Sequence, residues 1–372
     1  MKELELIGRE VEKLRAAGKG AVLATVVSIE GSSYRLPGAR MLIADAAWKA
    51  GSVSGGCLES DVVLRAREVL DKNEAAVVTY DTTSDEDIVF GVGLGCRGII
   101  KVLIEPVTPQ RVEPDLVTFI MRCIVQRQTG VAATVIGVEG RVDAKPGQRL
   151  VRPADGALSS NIADGALNAA IEAHFASTAD SHTTAFDLAE GTAQVFIEIV
   201  RPPIPFIVFG AGHDAIPAVR LAKELGWHVT VSDHRAAYAT LERFPFADEV
   251  LVASPNEIIG RIGLTHETVA LVMTHSYLRD LELLKILLPS AARYVGLLGP
   301  RRRADELLAE LERQSVRITP EQRRRFYAPV GLDLGAEGPE GVALSILAEI
   351  QAVIAHREPG HRRARKGAIH GV

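Results

Sequence analysis

Phe206-Ile207-Val208-Phe209-Gly210-Ala211-Gly212-His213-Asp214-Ala215 decides the fold of half of this chain. An apolar run ends at a glycine turn, and the turn opens onto a helical pattern. This fits the dinucleotide fingerprint with Ala in its third position. Gly210 permits the tight turn, Gly212 lets the backbone approach a phosphate, and Ala215 permits close helix–sheet packing. The N–H groups and dipole at such a helix start favour an anion. Asp233 ends the next strand, where a ribose-binding acid is expected, with His234 and Arg235 beside it. His213 lies inside the turn and meets a ligand or only solvent. Rossmann-like domains bind NAD(P), other nucleotides or nothing, so the fingerprint fixes the fold more firmly than the ligand.

The alternation continues on both sides of this turn. Strands are expected at Phe206–Phe209, His228–Ser232, Glu249–Val252, Thr268–Met273 and Tyr294–Leu297. Helices are expected at Ala215–Leu225, Asn256–Ile262, Tyr277–Leu288, Arg301–Gln314 and Pro339–Ala355. Such an order predicts a doubly wound parallel sheet over residues 206–356. His275 follows an apolar strand, and strand C-terminal ends face the ligand crevice in open α/β sheets. Arg201-Pro202-Pro203-Ile204-Pro205 reads as a stiff extended linker. The tail from Arg357 to Val372 is basic and reads as a solvated, disordered end.

Upstream, residues 1–110 form a separate α/β pattern. Helices are expected at Leu4–Ala17 and Leu58–Leu70, and strands at Ala21–Ile29, Arg40–Ala44, Ala75–Tyr80 and Arg97–Glu105. Residues 111–200 are less informative. They show a helix at Phe119–Gln126 and strands at Ala132–Val138 and Gln194–Val200, and are taken to complete the N-terminal domain. The pentapeptide Ala-Asp-Gly-Ala-Leu at 154 and again at 163 reads as compositional chance.

Two small-residue stretches interrupt the first pattern. In Ser52-Val53-Ser54-Gly55-Gly56-Cys57-Leu58-Glu59 the cysteine stands at a helix start, a position that favours thiolate. The bland alternative is a small apolar residue in helix packing. In Gly91-Val92-Gly93-Leu94-Gly95-Cys96-Arg97-Gly98, glycines replace the bulky residues a strand prefers. Close approach of a ligand or another loop would compensate the backbone entropy; a glycine-rich hairpin with an idle thiol is the alternative. Arg35 and Arg40 bracket the Ser32-Ser33 loop and suit either an oxyanion or solvent. Cys123 sits in an apolar helix and is expected in the core.

Composition narrows the field. Of 372 residues, 47% are hydrophobic and 24% charged, which is globular and neither collagen-like nor disordered. A formal net charge of -5 gives no basic footprint for nucleic acid. No apolar run approaches a membrane span, and Met1-Lys2-Glu3-Leu4-Glu5 is charged where a signal peptide would not be. Three cysteines make no disulfide scaffold, so a reducing cytoplasm is expected. Neither a CxxC pair nor an HExxH occurs, which argues against a structural zinc site.

Together these motifs resemble the xanthine dehydrogenase accessory protein family (XdhC/CoxI). The resemblance is carried by Glu30–Ser33, Pro37–Met41, Gly51–Glu59 with Asp61, and Gly93–Cys96. In the second half it is carried by Phe209–His213, Asp233 with Arg235, Thr274-His275, Tyr294–Gly299, and Gly331–Ala336 with Pro339-Glu340. It covers about residues 10–106 and 205–355. It implies an N-terminal cofactor-binding domain and a C-terminal Rossmann-like domain. It also implies a molybdenum cofactor chaperone that protects the cofactor during sulfuration and inserts it into a molybdenum hydroxylase. The cargo would be molybdopterin or its cytidine dinucleotide form, and a cysteine desulfurase would supply sulfur. Cys57 and Cys96 would be the contacting thiols, Cys57 a molybdenum contact. The expected cofactor-binding set is Ser54, Gly55, Gly56, Cys57, Glu59, Gly95, Cys96, Arg40, Gly210, Gly212, His213, Asp233 and His275. Arg97, Ser276-Tyr277, Gly338 and Gly341 depart from the family's pattern. The two-domain chain and its apolar last helix point to a homodimer. An NAD(P)-dependent oxidoreductase and a cysteine-based sulfur-transfer enzyme remain as alternatives.

Overall fold

The computed structural model describes residues 1–81 and 98–364. Cys96, Gly95 and the end of the basic tail lie outside the described residues. The chain separates into two compact units, Glu3–Pro202 and the stretch from Pro203 on, so the change falls within the proline-rich segment.

The first unit opens with α1 (Lys2–Ala16), which buries Ile7 and Val11 one turn apart. Then come β1 (Ala21–Gly31), β2 (Arg40–Ala44), β3 (Ala47–Gly51), α2 (Glu59–Lys72), β4 (Ala76–Asp81) and β5 (Gly98–Val107). The strands form an antiparallel sheet in the order β3-β2-β1-β5-β4. β3 is an addition to the expected strands. The hairpin that creates it turns on Asp45 and Ala46, both at positive φ, and alanine gives no such turn signal. Apolar residues of β1, β2 and β5 meet Val62, Ala66 and Val69 of α2 in one core.

Residues 116–200 repeat the same plan. α3 (Leu116–Gln126) precedes β6 (Gly130–Gly140), β7 (Arg149–Arg152), β8 (Ser159–Ser160), α4 (Gly165–Phe175), β9 (His182–Leu188) and β10 (Gly191–Val200). Their sheet runs β8-β7-β6-β10-β9, the first order over again. The duplication is visible in sequence as well. Ala24-Thr-Val-Val-Ser-Ile-Glu-Gly31 corresponds to Ala133-Thr-Val-Ile-Gly-Val-Glu-Gly140, and Pro37-Gly-Ala-Arg40 to Pro146-Gly-Gln-Arg149. The Ala-Asp-Gly-Ala-Leu pentapeptide is unrelated to it: one copy lies in the turn before β8, the other leads into α4.

Matching residues of the two copies meet each other. Val27 and Ile136 fall at equivalent breaks in strand register. With Leu103 and Phe196 they form one buried apolar cluster. Lys101 and Gln194, again equivalent, hydrogen-bond at 3.3 Å. Two reciprocal ion pairs flank this contact. Arg40 donates to Glu198 of β10, and Arg149 donates to Glu105 of β5.

The second unit is a six-stranded parallel sheet, β13-β12-β11-β14-β15-β16. Its strands are β11 (Pro205–Phe209), β12 (His228–Asp233), β13 (Glu249–Val252), β14 (Val269–Val272), β15 (Tyr294–Leu297) and β16 (Phe326–Tyr327). Helices α5 (Ala215–Glu224), α6 (Pro255–Ile262), α7 (Tyr277–Leu287), α8 (Arg301–Arg313), α9 (Pro320–Arg324) and α10 (Pro339–Ile354) connect or follow them. Two separate apolar cores cover the sheet's two faces, as buried parallel strands require. The strand order reverses between β11 and β14, which places a crevice after Phe209 and Val272.

Candidate functional site

In the first unit the site is the loop between β3 and α2. Ser54 is its pivot and is buried. Its Oγ accepts from the backbone N–H groups of Gly56 at 3.2 Å, and of Cys57 and Leu58 at 3.1 Å each. Glu59, 6% exposed, accepts from Ser54 N–H at 2.8 Å and from the Ser54 hydroxyl. The N–H groups at this helix start are therefore engaged by a serine oxygen. Glu59, expected to touch a cofactor, faces inward and holds the loop's shape.

What this arrangement presents outward is Gly55, Gly56 and Cys57, all exposed. Gly56 sits at φ +114°, a conformation that favours glycine, and among the described residues no atom beyond its chain neighbours lies within 4 Å of where a Cβ would be. Gly55 lies against the ring of Tyr34, itself 64% exposed. Two acids brace this region: Glu3, which has no signal in the sequence, tethers the loop, and Asp61 ties α2 to β4. Glu3 of α1 accepts from Ser52 N–H at 2.8 Å and from Arg35. One turn into α2, Asp61 Oδ2 accepts from Arg65 and from the buried Tyr80 hydroxyl, each at 2.7 Å. Burial, with Asp61 adding to it, pushes the Tyr80 hydroxyl well above its usual range. Cys57 is thus a solvent-facing thiol on a fixed scaffold. Cys123 is the opposite: it lies in the core, and burial pushes its thiol up to about 11.

Arg40 departs from the expectation of an anion-binding or solvated side chain. It is 2% exposed, and its two terminal nitrogens bond both oxygens of Glu198 at 2.8 and 2.5 Å. A third bond reaches Gly38 O at 3.0 Å. Burial would lower its pKa, but Glu198, with Glu105 and Glu3 adding to it, raises it. The side chain joins the two copies of the repeat and does not reach the Cys57 loop's surface.

In the second unit, Gly210, Gly212, His213, Asp233 and His275 come together around the crevice. Gly210 has φ +114°, and a Cβ there would stand 2.4 Å from Met273 O. Asp233 is 5% exposed. Its Oδ2 accepts from Ala211 N–H at 2.8 Å and from Arg235 at 2.7 Å. Its Oδ1 accepts from the N–H and Nε of Arg235, both at 2.9 Å. Burial alone would raise this carboxyl, but those bonds prevail and hold it at about 2. Arg235 also stacks on Tyr238, 4.0 Å from the ring centre. The acid in the ribose-binding position is saturated by the chain itself, and it covers one N–H of the glycine turn.

His275 has a left-handed backbone, φ +57°, an uncommon conformation for a residue with a side chain. Its Nε2 lies 2.7 Å from Asp214 Oδ2, a contact that sequence spacing does not reveal. Beside it Thr274 bonds Asp280, 1% exposed, whose other oxygen accepts from Arg303 at 2.5 Å. His213 is exposed on the turn. Among the described residues no cluster of three or more His, Cys, Asp or Glu suits a metal ion.

Residues 206–350 match the XdhC Rossmann domain, and residues 14–81 match the XdhC and CoxI family. The molybdenum cofactor insertion chaperone PaoD of Escherichia coli is 22% identical over 342 residues, covering 92% of this chain and 86% of that protein. A solved structure from Bacillus halodurans, described as a xanthine dehydrogenase, aligns with a TM-score of 0.76 at 29% identity. That alignment covers 96% of this chain and 97% of the other. A Bacillus subtilis protein described as a probable xanthine dehydrogenase subunit is 34% identical over 330 residues. With 89% of this chain and 92% of that relative aligned, the protein belongs to the XdhC and CoxI family.

Proposed function

We propose that this protein binds molybdenum cofactor, shields it during sulfuration and passes it to a molybdenum hydroxylase of the xanthine dehydrogenase kind. The observation that carries the reading is the solvent-facing Cys57 on a glycine loop that Ser54 and Glu59 hold in place. Thiolate is a soft ligand suited to molybdenum, and the same sulfur can accept or relay a persulfide. The adjoining glycines leave room for a bulky cargo. Kinship with PaoD, a molybdenum cofactor insertion chaperone, supports the cargo's identity. In this reading the cargo is molybdopterin or its cytidine form, a cysteine desulfurase supplies sulfur, and a homodimer is the working assembly. The geometry of Asp233 argues against an NAD(P)-dependent oxidoreductase, because a ribose hydroxyl would have to displace Arg235 and Ala211 from the carboxylate.

The test is anaerobic incubation with molybdenum cofactor, then gel filtration and molybdenum quantitation, wild type beside Cys57→Ala. Near-stoichiometric metal on wild type and at least a tenfold loss in the variant are expected. Equal retention by both, or equal activation of an apo molybdenum hydroxylase, refutes the role of Cys57. Exposure of Cys57 also suits sulfur transfer. Persulfide found on Cys57 after desulfurase treatment, with no molybdenum bound, would favour that reading.

A further inference from the structure

Beside the Cys57 loop the first copy of the repeat has an aromatic where its twin has an acid. Gly31 to Pro37 and Gly140 to Pro146 are equally long and lead into matching strands, which sets Tyr34 opposite Asp143. In the second copy this segment meets the connection into α4 through the backbone: Asp143 O accepts from Asp164 N–H at 3.1 Å. In the first copy Tyr34 meets the longer connection with its ring. A Cβ on Gly55 would stand 3.5, 3.6 and 3.9 Å from Cγ, Cδ1 and Cδ2 of Tyr34. Near-equal distances to these three atoms put Gly55 over a face of the ring, at its Cγ end, and not against its edge. Tyr34 is 64% exposed, more than any other Phe, Tyr or Trp among the described residues. A lone exposed aromatic is ordinary. This one is held in place. Glu3 accepts from Arg35, the next residue, and from Ser52 N–H at 2.8 Å, so one carboxylate fixes the Tyr34 segment to the start of the Cys57 loop. The ring also stands close to the thiol, because Gly55 to Cys57 is a step of two residues, at most about 7 Å.

We infer that Tyr34 is a stacking platform for a planar nitrogen heterocycle of the cargo, an inference that rests on the cofactor reading proposed above. The fold does not need an aromatic here, since Asp143 fills the same place in the twin. Gly55 brings no side chain to cover the ring, and a flat heterocycle gains by stacking on a phenol. The molybdenum end of the cargo meets Cys57 while its ring system lies on Tyr34, so two contacts fix its orientation. The pterin of molybdopterin and the cytosine of the dinucleotide form share this chemistry.

Titration of the full chain with pterin, and competition by cytidine, separate the two sources. Pterin fluoresces, and stacking on a phenol or an indole quenches it. Wild type should quench pterin saturably. Tyr34→Leu should weaken the affinity about tenfold, and Tyr34→Trp, which keeps a flat ring, should restore it. Tyr34 is exposed, so neither variant removes a core residue. Displacement of pterin by cytidine at a lower concentration than pterin itself needs would make cytosine the occupant of the platform. No quenching by wild type, or equal affinity in Tyr34→Leu, overturns the inference. Equal loss in Tyr34→Leu and Tyr34→Trp also overturns it, because the hydroxyl and not the ring face would then make the contact. Molybdenum retention by wild type is read separately. Molybdenum retained without quenching refutes only the stacking, whereas quenching without retained molybdenum refutes the proposed function and leaves the platform.

Discussion

Asp233 offers the sharpest test of how the second unit is built. Its carboxyl is held at about 2, against 3.8 for a free aspartate, by bonds from Arg235 and Ala211 that outweigh burial. A folded pKa below the unfolded one means that the native state binds the proton less readily. The stabilisation is therefore complete above the unfolded value and is lost as pH falls from about 4 toward 2. Its full size is roughly 2 kcal/mol at neutral pH and about half of that near pH 3. Asp233→Asn keeps an acceptor for Ala211 N–H and removes the charge facing Arg235. Urea unfolding can be followed through Trp227, 3% exposed in this unit's core, after Trp48→Phe removes the other tryptophan. At pH 7 the variant should be less stable by roughly 2 kcal/mol, and the gap should narrow to about 1 kcal/mol at pH 3. A gap below about 0.5 kcal/mol at pH 7, or one that does not change with pH, refutes the claim that the carboxylate is engaged as described.

Two further outcomes follow from the first unit. Arg40→Met strands the carboxylate of Glu198 between the repeats and should cost about 3–5 kcal/mol in urea unfolding, while Arg40→Met with Glu198→Leu should recover most of it; equal losses in the single and double variants would show that the pair is not coupled. Ser54→Ala removes the oxygen shared by three N–H groups and should cost about 1–2 kcal/mol. It should also change the rate at which iodoacetamide labels Cys57, read by peptide mass, and an unchanged rate would mean that Ser54 does not shape the loop.

Much of the second unit is legible in the sequence because its signals are local. A strand, a glycine turn, a helix and an acid at the next strand end are each written within a few residues, and the parallel order follows from their alternation. Less legible is what the polar groups do once folded. Arg40 and Glu198 are far apart in sequence, and neither residue type announces a buried pair. Asp233 does lie in the crevice, yet its saturation depends on Arg235 folding back, which spacing alone does not reveal. Ser54 and Glu59 are expected to meet a ligand and instead turn inward to brace the loop. The middle segment is the least legible. Its relation to the first hundred residues is present in Ala24–Gly31 and Ala133–Gly140, but the matches are short and lie far apart, and the more conspicuous Ala-Asp-Gly-Ala-Leu pair is unrelated to them. The strands β7 and β8 are too short to read by alternation.

The duplication also says which parts of the first copy the fold itself does not require. In the second copy β8 reaches α4 through residues 161–164, with Asp164 capping the helix by accepting from Leu167 N–H at 2.9 Å. In the first copy the same connection takes residues 52–58 and carries Gly55, Gly56 and Cys57. The second copy joins β9 to β10 through residues 189–190, whereas residues 82–97 join β4 to β5 and contain Cys96. The same topology thus closes with shorter, thiol-free connections. Both stretches singled out by the family resemblance fall where the first copy has more residues than its twin. Added length with glycine and an exposed thiol does not stabilise a sheet. On the proposed reading that added length serves the cargo; the second copy carries no such thiol and pairs with the first copy's sheet through Glu198 with Arg40 and Arg149 with Glu105.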